Sequence, residues 1–468
     1  MPLEYYKTQI TTDLTIKPTI IPRPDHIISR SNISDNALTV LRRLKKAGFD
    51  AHLVGGGVRD LLLGREPKDF DVVTDALPEE VRDTFRNCRL IGRRFRLAHV
   101  HFGRDIIEVA TFRGDHSNQK ANQKANQQAN HSEGQPDHTK DENERSEISE
   151  QSAQGMLLRD NVYGTIEEDA IRRDFTVNAL FYSIKDFSII DYVNGVQDLQ
   201  DGVLRLIGDP ETRYREDPVR MLRAARFAAK LGFTIHEDTA EPISRLTELL
   251  AEVPAARLYE EVLKLFMGGS AVHTFEKLRQ YDLFRQLFEQ TDHSLEVEEE
   301  GFPNQFVLKG LVNTDTRIRN DQRVTPAFLF AVLLWEPVRQ VFNQRLTDGA
   351  IAQTAMYDAA DTVLAAQVRQ VAIPKRFTGP MKEIWNLQLR LEKGCNVKKA
   401  RKLIEHPRFR AAYDFLLLRA ECGEAEQTTA DWWTAYQEDK PLPDKKSAKK
   451  RSSRKRYRNR RKSKPAGQ

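Results

Sequence analysis

The sequence predicts an α+β chain with a mixed α/β unit first, an all-helical remainder after it and a basic, disordered tail. Three observations carry this reading. Short strand-like runs alternate with helical periodicities until about residue 200, where the strand signals fade. Helical patterns opened by Pro and closed by Gly then follow one another. Finally, residues 445–464 (KKSAKKRSSRKRYRNRRKSK) hold 13 Lys or Arg and no acid. A block of like charge cannot collapse on itself.

The chain of 468 residues is about three times the usual domain length, so several units are expected. No apolar run approaches the ~20 residues that span a bilayer, and no membrane insertion is expected. The start MPLEYYKTQITTDL lacks the basic and then apolar pattern of a secretory signal. Cys88, Cys395 and Cys422 are scattered, which fits a reducing cytoplasm and leaves neither a disulfide framework nor a zinc pair. The net charge of +5 comes from the tail, so the rest of the chain is net negative. Such an arm seeks a polyanion, RNA or DNA before an acidic membrane. The plainer alternative is a solubilising tail.

In chain order, the first 30 residues show no clear periodicity. From Ser34, apolar residues Ala37, Leu38, Leu41 and Leu44 recur at helical spacing up to Gly48, which predicts a capped amphipathic helix. A strand over Ala51–Val54 then runs into Gly55, Gly56 and Gly57, a tight turn opening a helix and suited to phosphate. Strands are predicted over 69–74, 97–102 and 106–112, with a helix opened by Pro78 and a turn at Gly103. Residues 115–155 change to Asn, Gln, Ser and charge, with NQKA, NQKA, NQQA repeating from Asn118, and are expected to be a disordered insert within one domain. Beyond about residue 200, helices are predicted over 218–231, 254–267 and 326–335, the last apolar enough to be deeply buried.

The sharpest constellation is LVGGGVRDLLLG followed by PKDFDVVTD. On a strand, positions i and i+2 share a face, so Asp69 and Asp71 would present two carboxylates side by side. Adjacent anions repel unless a cation lies between them, and Mg2+, a hard ion held by carboxylates and phosphate oxygens, fits. Glycines at 56 and 57 leave no Cβ to block a triphosphate, and Arg59 adds charge. The parts outline nucleotidyl transfer with two metals. A DxD by itself is more often a solvated turn, and it is the preceding glycine turn that favours the catalytic reading.

GGGVRD with the spaced DFD resembles the nucleotidyltransferase superfamily, whose head is a palm-like α/β domain. EEDAIRRDFTVNALFY (167–182), YVNGVQDLQDG and REDPVRMLRAARFAAKLGF resemble the branch shared by bacterial poly(A) polymerases and CCA-adding tRNA enzymes. The resemblance covers about residues 34–290. LIGRRFRLAHVHFG (90–103), the basic extension and IPKRFTGPMKEIW from Ile373 are similar to the poly(A) polymerase side. It implies a head at 34–195, a helical neck at 196–270 binding the base and RNA, a helical body at 271–440 binding RNA, and a tail at 441–468.

The resemblance also implies residue roles. Asp69 and Asp71 would be the catalytic metal ligands, and Asp174 in RRDFT a further catalytic acid, its plainer alternative being an N-cap or a partner of Arg172 and Arg173. Glu108, in the strand IIEVATF, is either a third acid of the palm or a solvent-facing strand residue. Arg172 and Arg173 are triphosphate candidates and Asn178 a ribose candidate. Glu216 and Asp217 precede a helix carrying Arg220 and Arg223, an element that would read the base. A carboxylate accepts from an exocyclic amino group while a guanidinium donates to the ring nitrogen, an edge that ATP and CTP share and that GTP and UTP lack. The alternative there is an i, i+3 surface pair between Asp217 and Arg220. His99 and His101 alternate on a strand without a third ligand, so a metal is not expected there. Trp432 and Trp433 would stack on RNA bases or cap the last helix.

The implied activity is template-independent addition of AMP from ATP to RNA 3' ends with Mg2+, promoting RNA turnover in the cytoplasm. RNA-degradation machinery or an RNA chaperone would be its further partners. The close alternative is a CCA-adding tRNA nucleotidyltransferase, and the alternative of another class is a catalytically dead RNA-binding adaptor. Clustered anions at Asp69, Asp71 and Asp174 argue against the adaptor, since a fold without chemistry gains nothing from their repulsion.

Overall fold

The computed structural model describes residues 17–92, 96–114, 150–151, 157–159, 162–296, 305–393 and 397–438. The basic tail and nearly all of the 115–155 insert lie outside them, as does Cys395. Two compact units are formed, Met1–Val253 with Glu276–Leu283, and Pro254–Phe275 with Phe284–Gln468. No helix among the described residues is long and apolar enough to cross a membrane.

The first unit is built on an eight-stranded sheet. Its elements are β1 (Thr19–Ile21), α1 (Asp35–Lys46), β2 (Ala51–Val54), α2 (Gly56–Leu62), β3 (Asp71–Thr74), α3 (Pro78–Thr84), β4 (Cys88–Ile91), β5 (Leu97–Phe102) and β6 (Asp105–Thr111). A separate short pair, β7 (Glu150–Gln151) and β8 (Leu157–Arg159), precedes α4 (Ile166–Arg172), β9 (Leu180–Ser183) and β10 (Ile189–Asp191). The sheet order is β1-β10-β9-β2-β3-β6-β5-β4, parallel at β3 and β6 and antiparallel elsewhere. Ser34 caps α1 by accepting from the Ala37 amide, and Ala37, Leu38, Leu41 and Leu44 are buried, as their spacing requires.

One expected strand is shorter than the sequence suggests. β3 begins at Asp71, not Asp69, because β2 ends at Val54, the partner of Asp71, where the glycine turn takes the chain away. Asp69 therefore lies on the approach to the strand, outside its regular i, i+2 alternation, and its charge is felt at Asp71. The side of the sheet bearing Val54, Val73 and Phe181 is covered by Ile166 and Ala170 of α4, with Phe112 in the same cluster. Leu53, Val72, Val109 and Val100 on the alternate face are buried, and α1 and α3 lie against these strands.

After the sheet come α5 (Gly195–Asp201), β11 (Val203–Leu204), α6 (Pro210–Glu216), α7 (Val219–Leu231), β12 (Thr234–Ile235) and α8 (Glu237–Leu246). Gly232, at φ +76°, closes α7 in the left-handed conformation expected of a helix-ending glycine.

The second unit is helical throughout its described residues. The apolar helix expected over 326–335 is two helices, Pro326–Leu333 and Trp335–Thr347. Pro337 cannot donate to the Leu333 carbonyl four residues earlier, and the Thr291 hydroxyl donates to that oxygen instead at 2.8 Å. Trp385 and Trp433 are buried, their indole N–H groups donating to the carbonyls of Ala331 (3.2 Å) and Leu391 (3.0 Å). Trp433 is thus a core residue packed with Phe409, Tyr413 and Leu416, neither a base platform nor a cap. Trp432 is only partly buried and stacks on Tyr436, ring centroids 5.2 Å apart.

Candidate active site

The glycine turn joins β2 to α2. Gly55 stands at φ +75° and ψ −136°, a conformation open essentially to glycine, and its amide donates to the Leu180 carbonyl at 3.2 Å. A Cβ on Gly57 would lie 3.2 Å from the Asp69 carbonyl oxygen, so this residue is small to let the turn close on the segment carrying the aspartates. Gly56 opens α2.

The strand register assembles the acids. Val54 pairs with Asp71, Asp71 with Glu108, Glu108 with His99, and His99 with Arg89, so these residues form one row on one face across five strands. Glu108 is therefore beside Asp71, on the same face of the sheet, with its side chain half exposed. Burial, and next to it the negative charge of Glu108, pushes the Asp71 carboxyl up to about 6; Arg173 opposes this and Asp69 adds to it. Among the described residues no three such side chains are already gathered tightly enough to hold a metal. The donor set is nonetheless that of a hard cation: three carboxylates, one held partly protonated near neutrality by the other two and by burial. A divalent ion between them would relieve that repulsion, so the residues fit Mg2+.

The cations divide into two groups. Arg173 clamps Asp169 through Nε (3.0 Å) and Nη2 (2.7 Å), lies over the Phe181 ring, and brings Nη1 to 3.6 Å from where a Cβ on Gly55 would be. It is the guanidinium that stands at both the turn and Asp71. Arg172 instead donates to the Gly114 carbonyl at 2.5 Å. Arg59, expected at the triphosphate, is only 2% exposed. Its guanidinium is engaged by Asp60 at 2.6 Å and by the Asn178 side-chain oxygen at 2.5 Å, since a buried cation must be fully paired. Arg59 is thus a brace behind the turn, and the Asn178 oxygen expected at a ribose is committed to it.

A second cluster forms around Asp174. Its carboxylate meets Arg220 Nε at 2.9 Å and Arg223 Nη1 at 2.6 Å, so it is neither an N-cap nor the partner of Arg172 and Arg173. Burial alone would raise this carboxyl, but Arg223 and Arg220 outweigh it and hold it low. Arg220 also donates to Glu216 (3.0 Å) and to the Arg213 carbonyl (2.7 Å), while Arg213 ties back to the carbonyls of Arg172 (2.6 Å) and Arg173 (2.9 Å). Arg220 pairs with Glu216, and the charge of Asp217 also acts on it. Asp217 is buried at the end of α6 and accepts from the Val219 amide at 3.3 Å. Phe227 links the clusters, with Arg59, Arg223 and Arg226 around its ring at 5.7, 5.9 and 4.4 Å. The His99 and His101 ring centroids are 6.4 Å apart, and His99 Nε2 lies 3.3 Å from Glu108 Oε1. Asp60, next to Arg59, and Asp169, at i, i+4 to Arg173, were within reach of local spacing, whereas the roles of Phe181, Arg213 and Phe227 are defined by long-range packing.

A mixed sheet that sets paired aspartates and a third acid beside a glycine turn defines a nucleotidyltransferase. Residues 51–205 match the poly(A) polymerase head domain, 232–295 the probable RNA and SrmB-binding site of polymerase A, and 348–465 the polymerase A arginine-rich C-terminus. Poly(A) polymerase I of Salmonella typhimurium is 52% identical over 92% of this chain and 87% of its own length. The CC-adding tRNA nucleotidyltransferase of Halalkalibacterium halodurans is 36% identical over 51% of this chain and 50% of its own. A solved tRNA-processing enzyme shares the fold at a TM-score of 0.55 and 22% identity, covering 87% of this chain and 94% of that one. The chain belongs to the family of bacterial poly(A) polymerases.

Proposed function

We propose that the chain is a template-independent poly(A) polymerase that transfers AMP from ATP to RNA 3' hydroxyls in the cytoplasm. The observation that carries the chemistry is the Asp71 carboxyl, raised to about 6 by burial and Glu108 and set beside the glycine turn and Arg173. Asp69 and Asp71, with Glu108, would hold Mg2+, which supplies activation of the attacking hydroxyl and charge neutralisation at the leaving pyrophosphate. Arg173 is placed to meet the triphosphate, its position fixed by Asp169. The amides of the turn at Gly56 and Gly57 approach the phosphates without a Cβ in the way. Arg59 and Asn178 keep that turn in shape from behind.

Base selection falls to the junction of α6 and α7. Arg220 shares its donors among Asp174, Glu216 and the Arg213 carbonyl, so its reading of a base edge depends on those contacts holding or exchanging. Arg223, at 36% side-chain exposure, is the more open guanidinium. Asp174 then acts by positioning both arginines rather than by binding metal. The basic block at 445–464 supplies sequence-independent affinity for RNA.

The test is an extension assay with each NTP separately, on an unstructured RNA and on a tRNA lacking its 3' end. The proposal requires a ladder of growing products with ATP on the unstructured RNA. Addition of a fixed few nucleotides to the trimmed tRNA alone, with a need for CTP, would support the CCA-adding reading instead.

A further inference from the structure

We infer that His99 is a positioning residue of the reaction: it pins Glu108 on the sheet face beside Asp71. The inference rests on the catalytic reading of the Asp69, Asp71 and Glu108 face. Glu108 has three flexible torsions and a half-exposed side chain, and both aspartates are like charges. Repulsion and side-chain entropy together would swing its carboxylate into water. On the side away from Asp71, the register of β5 against β6 sets His99 directly opposite Glu108. The His99 ring is 17% exposed, and its Nε2 lies 3.3 Å from Glu108 Oε1.

That nitrogen is buried and makes no hydrogen bond among the described residues; its 3.3 Å approach to Glu108 Oε1 is an ion-pair contact. A small turn of the ring would aim an Nε2–H at that oxygen, so a buried donor without a hydrogen bond stands within reach of the Glu108 carboxylate. The next position outward is Arg89, paired with His99 on the edge strand and exposed, so the row runs from acid through imidazole to guanidinium. A histidine packed only for bulk would not need to bring an otherwise unbonded nitrogen within 3.3 Å of this carboxylate. An imidazole that merely filled space could be exchanged for phenyl.

The experiment compares His99→Phe, which keeps the ring and loses the donor, with His99→Gln, which keeps a side-chain N–H at similar reach. Mn2+ binding is followed by water proton relaxation, and AMP addition is measured across ATP concentrations. The expected result is about tenfold weaker Mn2+ binding and a lower kcat with little change in ATP KM for His99→Phe, with most of both losses restored in His99→Gln. In a double-mutant cycle, His99→Phe should add little to Glu108→Gln, since both remove the same fixed oxygen. Wild-type Mn2+ binding by His99→Phe while Asp71→Asn binds poorly would overturn the role of His99 and leave the metal site intact. Wild-type binding by Asp71→Asn would overturn the catalytic reading itself. If His99→Phe does not fold, the Mn2+ affinity of His99→Gln decides: near wild type supports the donor role, and a loss equal to that of Glu108→Gln contradicts it.

Discussion

Replacing Asp71 by Asn should make the protein more stable while it removes activity. The folded carboxyl titrates at about 6 against an ordinary 3.8, so ionising it is harder in the folded state than in the unfolded one. A raised acid destabilises the fold at high pH. The penalty is absent below the unfolded value, grows as pH rises through the window between the two, and is complete above about 6. Two pKa units at ~1.4 kcal/mol each give a ceiling of about 3 kcal/mol, and solvent screening around the half-exposed Glu108 lowers this to about 1–2 kcal/mol. A change of that size moves the melting temperature of a unit this large by roughly 2–6 °C. The assay is thermal unfolding in a chelating buffer at several pH values between about 8 and 4. The variant should melt higher at the alkaline end, and the gain should shrink as pH falls. Added Mg2+ should then favour the wild type more than the variant, because a ligand stabilises only the state that binds it. A variant that melts no higher than wild type at about pH 8, or a gain that does not depend on pH, would refute the repulsion on which the site assignment is built.

Other consequences follow from the same geometry. Arg220→Ala leaves Asp174 and Glu216 short of a buried partner, and a loss of about 3–5 kcal/mol in urea unfolding is expected, with Arg220→Lys a poor rescue because one ammonium cannot serve both acids. Gly55→Ala should cost about 1–3 kcal/mol through its φ of +75° and raise the KM for ATP by displacing Arg173, whereas an unchanged KM would separate Arg173 from the triphosphate. Cutting the chain after Asp444 should make the slope of log RNA affinity against log salt shallower by ~3.5 units if the arm meets ~5 phosphates, and an unchanged slope would leave it a solubilising tail.

What could be read from the sequence was local. The glycine turn, the capped α1, the end of α7 at Gly232 and the proximity of Asp69 to Asp71 all depend on neighbours within a few residues, where turn chemistry and periodicity apply. The placement of Glu108 depends on the parallel pairing of β3 with β6, and that of His99 on the next register outward, neither of which a strand pattern specifies. β9 is LFYS, buried at every position, and gives no alternation to recognise. The arginines were the least legible. Arg59, Arg173, Arg220 and Arg223 look alike in a motif, yet Arg59 pairs with Asn178 and Arg220 with Asp174 across 119 and 46 residues. Only burial separates a guanidinium that braces the fold from one held beside the acids. The split at Leu334 was within reach of the sequence, since Pro337 was visible two residues past the apolar run.

The central claim is that the carboxylates of the β3 and β6 face perform AMP transfer. Its most direct test is single-turnover incorporation of AMP from ATP onto an unstructured RNA by wild type, Asp69→Asn and Asp71→Asn, each first shown to be folded and to bind the RNA. The account predicts that both variants lose at least on the order of 10²–10³-fold in rate, the scale of removing a preorganised charge from a reacting centre. Incorporation by either variant within tenfold of wild type would contradict it.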